Sequence, residues 1–186
     1  MDDLTRLAVT ARDGDRIAMA AFVRTSQAEV WRLCAAVVDR EAADDLTQDV
    51  YLRALAALPS FRAESSARTW LLTIAHRTCA DAIRRRVRRR SLASRLAARR
   101  TPAHVPDPSG AVDVAALVES LERDRRVAFV LTQLLGLGYA EAAEVVGCPI
   151  GTIRSRVARA RDDLVAAVQS AEMSAPSAAS LPTRSS

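Results

Sequence analysis

Tyr139-Ala-Glu-Ala-Ala-Glu-Val-Val-Gly-Cys-Pro-Ile-Gly-Thr-Ile-Arg-Ser-Arg-Val157 is the stretch on which the reading of this chain turns. It has the pattern of two helices joined by a sharp turn. Small Ala143 lets the helices approach closely, and Gly147 suits a turn that needs left-handed backbone. Pro149 is expected at the first position of the second helix, where its missing N–H costs nothing. At roughly 100° per residue, Ile153, Val157, Ala160 and Leu164 share one face and should be buried. Ser155, Ala158 and Arg159 lie opposite, flanked by Thr152, Arg154 and Arg156. A small, polar, Arg-bearing face fits the DNA major groove, and the helix N-terminus directs a positive dipole at phosphate. The spacing predicts a helix-turn-helix from Tyr139 to Ala158. The plainer alternative is a helical hairpin with a solvated basic face.

Outward from this motif, Val114–Leu121 and Asp124–Leu135 show helical periodicity. With Tyr139–Val146 and Pro149–Val168 they make a compact four-helix unit over residues 113–169. Ser170–Ser186, rich in Ser, Ala and Pro, is expected to be a disordered tail. Towards the N-terminus, residues 91–112 contain Pro102, Pro106, Pro108 and Gly110 and read as a linker. Before it lies a second helical region, residues 10–90. Helices are expected over Ala18–Val38, over Glu41–Leu58 with Pro59 as its stop, and over Ser65–Arg90 with Ser65 or Ser66 as cap. The expected fold is therefore all-α: two small helical domains joined by a flexible linker.

Composition supports this. Of 186 residues, 49% are hydrophobic but only 4% aromatic, and Ala is abundant, which favours close-packed helices over a β-sandwich. No apolar run is long enough for a membrane span, and Met1-Asp2-Asp3-Leu4 has neither basic nor apolar leader character. A cytoplasmic protein is expected. Cys34, Cys79 and Cys148 are odd in number and far apart, so reduced thiols are expected and no metal site. There is no phosphate-binding loop, no nucleophile–histidine pattern and no cofactor motif, so neither an enzyme nor a cofactor is expected.

The net charge is +5, all of the basic residues are Arg, and they are unevenly placed. No acidic residue falls between Asp81 and Asp107, whereas Arg84, Arg85, Arg86, Arg88, Arg89, Arg90, Arg95, Arg99 and Arg100 do. Such a block suggests an anionic partner, chiefly nucleic acid. In the Glu41–Leu58 helix, Leu46, Val50, Ala54, Leu55 and Leu58 can share a buried face. Asp45, Gln48, Asp49, Leu52 and Arg53 lie outward, and an acidic face with an exposed leucine suits a protein partner better than DNA.

The segment Gly147 to Arg161, with Gln133-Leu-Leu-Gly-Leu-Gly-Tyr-Ala-Glu-Ala-Ala before it, resembles the recognition motif of extracytoplasmic-function (ECF) sigma factors of the sigma-70 family. Ala43-Asp-Asp-Leu-Thr-Gln-Asp-Val-Tyr-Leu-Arg53, Phe61-Arg62, Ser66-Ala-Arg-Thr-Trp-Leu-Leu-Thr-Ile-Ala75, Asp81 and the Arg run resemble its first domain. The likeness spans most of Ala18 to Val168, and in particular resembles the actinobacterial sigma C type. It implies a protein that binds RNA polymerase core through its β′ and β subunits and reads the −10 and −35 promoter elements. It would help to melt the duplex, and an anti-sigma factor is a possible further partner.

By that resemblance, Asp45, Leu46, Gln48, Asp49, Leu52 and Arg53 match the core-binding helix. Phe61 and Arg62 match the loop that receives a flipped −10 base, and Arg77 and Asp81 match the base-reading pair. The family often has Asn at that pair, so both positions depart from the pattern. Trp70 reads as core or as a stacking platform, and His76 as a spectator or a phosphate contact. Arg84, Arg85 and Arg88 are expected on the DNA backbone. Thr152, Arg154, Ser155, Arg156 and Arg159 are expected at the −35 element. A two-domain regulator with a similar helix-turn-helix would need a receiver or ligand-binding domain, and an anti-sigma factor would not need an Arg-bearing reader helix.

Overall fold

The computed structural model describes residues 1–96 and 114–174, with side chains over 1–89 and 116–170. Among the described residues the chain is helical throughout and has no strand, as expected. Its α-helices are α1 (Asp3–Arg12), α2 (Arg16–Val37), α3 (Ala43–Ala57), α4 (Ala67–Leu96), α5 (Val114–Ser120), α6 (Arg123–Phe129), α7 (Tyr139–Val146) and α8 (Ile150–Ser174). No helix among them is long and apolar enough to cross a membrane.

Helix α1 was not foreseen. Asp2 caps it: one carboxylate oxygen accepts from the Thr5 N–H at 2.9 Å and the other from the Thr5 hydroxyl at 2.6 Å. The helix then braces two later segments. Thr5 Oγ1 accepts from the Ala67 N–H at 2.9 Å, satisfying a donor at the start of α4. The Arg12 guanidinium donates to the Phe61 carbonyl at 3.1 Å. Asp15 Oδ1 accepts from the N–H groups of Ile17 and Ala18, which starts α2 slightly before the expected Ala18. Ser66 caps α4 as anticipated, its hydroxyl accepting from the Thr69 N–H at 3.1 Å.

The core of the first unit is a three-helix contact. Phe22, Val30 and Leu33 come from α2, Val50 and Ala54 from α3, and Leu71, Leu72 and Ala75 from α4; each is almost wholly buried. Cys34 and Cys79 are also buried there, with their thiols 3.7 Å apart. Pro59 lies in a 3-10 turn, Leu58–Ser60, that continues directly from α3. Helix α4 runs six residues past Arg90, so its last part occupies what periodicity assigns to the linker. The remainder of that linker lies outside the described residues.

In the second unit the turn forms as its sequence requires. Gly147 ends α7 with φ 75° and ψ 41°, and its N–H donates to the Ala143 carbonyl at 2.8 Å. The Glu141 side chain accepts from the Gly138 N–H at 2.8 Å and so closes the N-terminus of α7. Pro149 sits one residue before α8 rather than as its first residue, and its carbonyl accepts from Thr152 at 2.9 Å. Ile153, Val157 and Ala160 are buried as the wheel required, whereas Leu164, further along the helix, is only half-buried. The expected Asp124–Leu135 helix is instead α6 followed by a π-helical turn, Val130–Leu134. The apolar run there has no period that distinguishes the two. Helix α8 continues through Ser174, beyond the expected Val168. The rest of the tail, from Ala175, lies outside the described residues.

The two units pack against each other. Helix α7 lies on α4, and α5, α6 and the π-helical turn lie on α2. One continuous apolar core runs through both. At the seam, the Arg68 guanidinium of α4 binds Glu29 of α2 and also donates to the Leu135 carbonyl of the second unit.

Candidate nucleic-acid interface

Three faces carry the residues that sequence singled out. The first is the outer face of α8. Arg154, Ser155 and Arg159 are exposed and Thr152 is half-buried, so a polar, basic strip stands clear of the core. Burial of Ile153, Val157 and Ala160 on the inner face fixes the helix rotation that presents this strip. Arg156 differs from its neighbours. It is only partly exposed and is paired with Asp124 of α6, so it braces α8 against α6. Arg125 and Asp163 form a parallel brace at 2.6 Å. Helical spacing could not reveal either pair, because the partners lie 32 and 38 residues apart in sequence.

The second face is on α3. Asp45, Gln48, Leu52 and Arg53 are exposed and Asp49 is half-buried. Leu52 is 63% exposed, an apolar side chain standing among these polar groups. Leu46, grouped with this face by the resemblance, is 5% exposed and belongs to the core, where it supports the face from beneath.

The third face is the loop before α4 together with the outer side of that helix. Ser60, Phe61, Arg62, Ala63, Glu64, Ser65 and Trp70 surround a cavity of about 210 Å³. The Phe61 and Trp70 rings lie 4.9 Å apart; Phe61 is buried and Trp70 half-buried, so they form the inner wall while Arg62 stands exposed at the rim. Ala63 adopts φ 56°, the one non-glycine positive φ among the described residues, and this bends the loop around the cavity. Further along α4, Arg77 is exposed. Asp81 bonds Arg84 at 2.5 Å and Arg53 at 3.2 Å. The hydrogen bond from Arg84, then that from Arg53, holds its carboxyl below the usual carboxylate range. Arg53 of the second face and Asp81 of the third are thus joined. Arg84, Arg85 and Arg88 are exposed, and Arg86 pairs with Asp39. His76 is not on the open side with Arg77. It lies half-buried at the seam, under the influence of Arg123, Asp124 and Arg156 from the second unit.

The order of these faces along the chain coincides with two family models. Residues 22–89 match Sigma-70 region 2, and residues 111–164 match Sigma-70, region 4. Over 170 residues the chain is 49% identical to the probable RNA polymerase sigma-C factor of Mycobacterium bovis, spanning 88% of this chain and 90% of the relative. The chain belongs to the ECF sigma factors of the sigma-70 family. This sigma factor is also 31% identical over 170 residues to the ECF RNA polymerase sigma-E factor of Escherichia coli K12, spanning 84% of this chain and 89% of that one. Among solved structures it is similar to a sigma factor RpoE in complex with the anti-sigma factor NepR from Bartonella quintana. That likeness has a TM-score of 0.68 at 28% identity, over 81% of this chain and 96% of that one. CnrH in complex with the cytosolic domain of CnrY shares the fold with the same TM-score at 24% identity, over 90% and 99% of the two chains. As a family member, this sigma factor directs RNA polymerase to specific promoters at transcription initiation, with core polymerase and promoter DNA as its partners.

Proposed function

We propose that the work is divided between residues 10–90, which bind core polymerase and engage the −10 element, and residues 113–169, which read the −35 element, with 91–112 as their connection. The observation that carries this is the coexistence of two exposed faces of opposite character. The α3 face, with Asp45, Gln48 and a 63% exposed Leu52, suits an apolar and basic protein surface. The α8 face, with Arg154, Ser155 and Arg159, suits base edges and phosphate. Asp49 and Arg53 flank the first face and Leu46 supports it. The partner surfaces on the polymerase are those of β′ for α3 and of β for the second unit.

The cavity ringed by Phe61, Arg62 and Trp70 accepts an unstacked −10 base, and Arg77 and Asp81 face the adjoining bases. Arg84, Arg85 and Arg88 hold the backbone with salt-sensitive affinity. The protein acts in the cytoplasm and has no catalytic activity of its own; the polymerase supplies the chemistry. An anti-sigma factor is a further partner, by analogy with the RpoE–NepR complex.

The test is assembly with core enzyme. Replacing Asp45, Gln48 and Leu52 by Ala should weaken holoenzyme formation at least tenfold, each truncation costing on the order of 1 kcal/mol, while circular dichroism stays unchanged. Holoenzyme formation equal to that of the unaltered chain would overturn the assignment of the α3 face.

A further inference from the structure

We propose that Cys34 and Cys79 are a redox pair that closes to a disulfide under hydrogen peroxide, reached through an arginine-rimmed cleft one helical turn away from them. Cys34 comes from α2 and Cys79 from α4, and their sulfur atoms stand 3.7 Å apart, in contact but unbonded. A disulfide needs about 2.05 Å between the sulfurs, so closure asks only for side-chain rotation and a small approach of two helices that already pack together. The remaining thiol, Cys148, belongs to the second unit, where Arg156 points towards its sulfur at 4.0 Å. It serves as an internal control.

The surroundings give the two sulfurs different parts. The Cys79 thiol donates towards Cys34. Thr47 of α3 has a buried hydroxyl with no hydrogen-bond partner among the described residues, and that hydroxyl bears on Cys34. Two donors thus serve one sulfur and favour its thiolate. The hydrogen bond from Cys79, opposed by burial and aided by Thr47, lowers the Cys34 pKa, while the same contact and burial push the Cys79 thiol up. Cys34 is the attacking sulfur and Cys79 the resolving one.

Both sulfurs are wholly buried, so an oxidant needs a route. A cleft of about 320 Å³ opens where the end of α2 and the start of α3 meet α4. Arg85, Arg86 and Arg89 are its exposed lining, and Val38, Leu46 and Ala82 its less exposed lining. Val38 and Ala82 follow Cys34 and Cys79 by four and three residues, which places each on the same helix face as its cysteine. Leu46 adjoins Thr47 in the first turn and a half of α3. The residue before that helix, Ala42, makes no side-chain cap, so this end opens more readily than a capped one. Hydrogen peroxide is scarcely larger than water and fits the cleft easily.

In the first step the Cys34 thiolate attacks one peroxide oxygen. A sulfur–oxygen bond forms, the oxygen–oxygen bond breaks, and the departing hydroxide leaves as water with the proton that Cys34 released. Sulfur loses two electrons and the peroxide gains them. Cys79 then attacks the sulfenic sulfur: the disulfide forms, the sulfur–oxygen bond breaks, and the hydroxide departs as a second water with the Cys79 proton. Thiol exchange reverses the product. The bond ties α2 to α4 across a separation of 45 residues, with α3 between them.

The experiment treats the reduced full chain with hydrogen peroxide, blocks free thiols with iodoacetamide in urea, and maps peptides without reduction. A Cys34–Cys79 linked peptide should appear, with Cys148 outside it, and dithiothreitol should abolish it. The oxidised chain should unfold at a higher urea concentration than the reduced one, because the bond constrains the unfolded chain. Cys79→Ser should stop at a sulfenic acid on Cys34, labelled by dimedone. Cys34→Ser should leave Cys79 unlabelled, with the helical signal of both variants unchanged. Ala82→Leu narrows the cleft and should slow formation of the link severalfold. Free Cys34 and Cys79 after peroxide, linkage through Cys148, or a fall in the urea midpoint on oxidation would each overturn the pair. An unlabelled Cys34 in Cys79→Ser would overturn the order of attack, and an unchanged rate in Ala82→Leu the route. None of these readings depends on the promoter assignments.

Discussion

At Gly147 the backbone sits at φ 75°, yet nothing lies within 4 Å of where a Cβ would be placed. A side chain there meets no obstacle, so its cost is backbone strain alone. Gly147→Ala should therefore destabilise the chain by about 1 kcal/mol and Gly147→Asn by less, read as the shift of the urea midpoint at constant slope. A loss as large as a core cavity would place the turn's importance in packing instead. Two arginines on the next helix separate in the same way. The wheel sets Arg154 and Arg156 as equivalent flanks of one face. Among the described residues Arg154 is exposed and has no partner, while Arg156 is held by Asp124. Arg154→Ala should leave the urea midpoint in place and weaken binding of the holoenzyme to a −35 element by about 1–3 kcal/mol. Arg156→Ala should lower the midpoint, since it leaves Asp124 without its partner. Equal effects of the two substitutions on both measurements would refute this division. The exposed strip could be read from spacing because burial follows helical period. The Asp124 brace could not, because its partner arrives from another helix.

Helices α2, α3, α4, α7 and α8 were legible because each has a buried stripe and a recognisable start or stop, such as Ser66 or Gly147. Helix α1 carried the same kind of signal in Asp2, Leu4, Leu7, Ala8 and Ala11, but over barely three turns, and much of what secures it comes from elsewhere. Thr5 receives the Ala67 N–H, and Arg12 holds the Phe61 carbonyl. Both contacts span long stretches of chain, and no local pattern encodes them. They make α1 the back wall of the loop that surrounds the Phe61–Trp70 cavity. Thr5→Val keeps the shape of the side chain but removes the acceptor for Ala67 and the donor to Asp2. It should cost about 1 kcal/mol, the usual value of a lost cap, and should raise amide exchange at the start of α4 more than in α8. Uniform loss of protection across both units would mean that α1 supports the whole chain and not this loop.

Across the whole molecule, the feature least visible in the sequence is the seam. Each unit could be recognised alone, from periodicity and motif, but the contact of α7 with α4 and of α6 with α2 joins surfaces that no repeat or spacing relates. His76 shows the consequence: as a letter between Ala75 and Arg77 it reads as a spectator, yet it is half-buried, and burial, then Arg123 of the opposing unit, lowers its pKa. Arg68 ties the two units together. Its guanidinium binds Glu29 within the first unit and reaches the Leu135 carbonyl across the seam, using the planar fork of donors that a lysine lacks. Without it Glu29 would lose its ion pair, and the Leu135 carbonyl its bond to the first unit. Hydrogen bonds from charged groups are worth about 1.5–3 kcal/mol net, so Arg68→Ala should favour separation of the units by on the order of tenfold or more. The expected reading is a larger radius of gyration at neutral pH with unchanged helix content. Arg68→Lys should fall between the two, because it keeps a charge for Glu29 but cannot serve both partners. If Arg68→Ala remains as compact as the unaltered chain, apolar packing alone closes the seam, and Arg68 serves only to anchor α4 to α2.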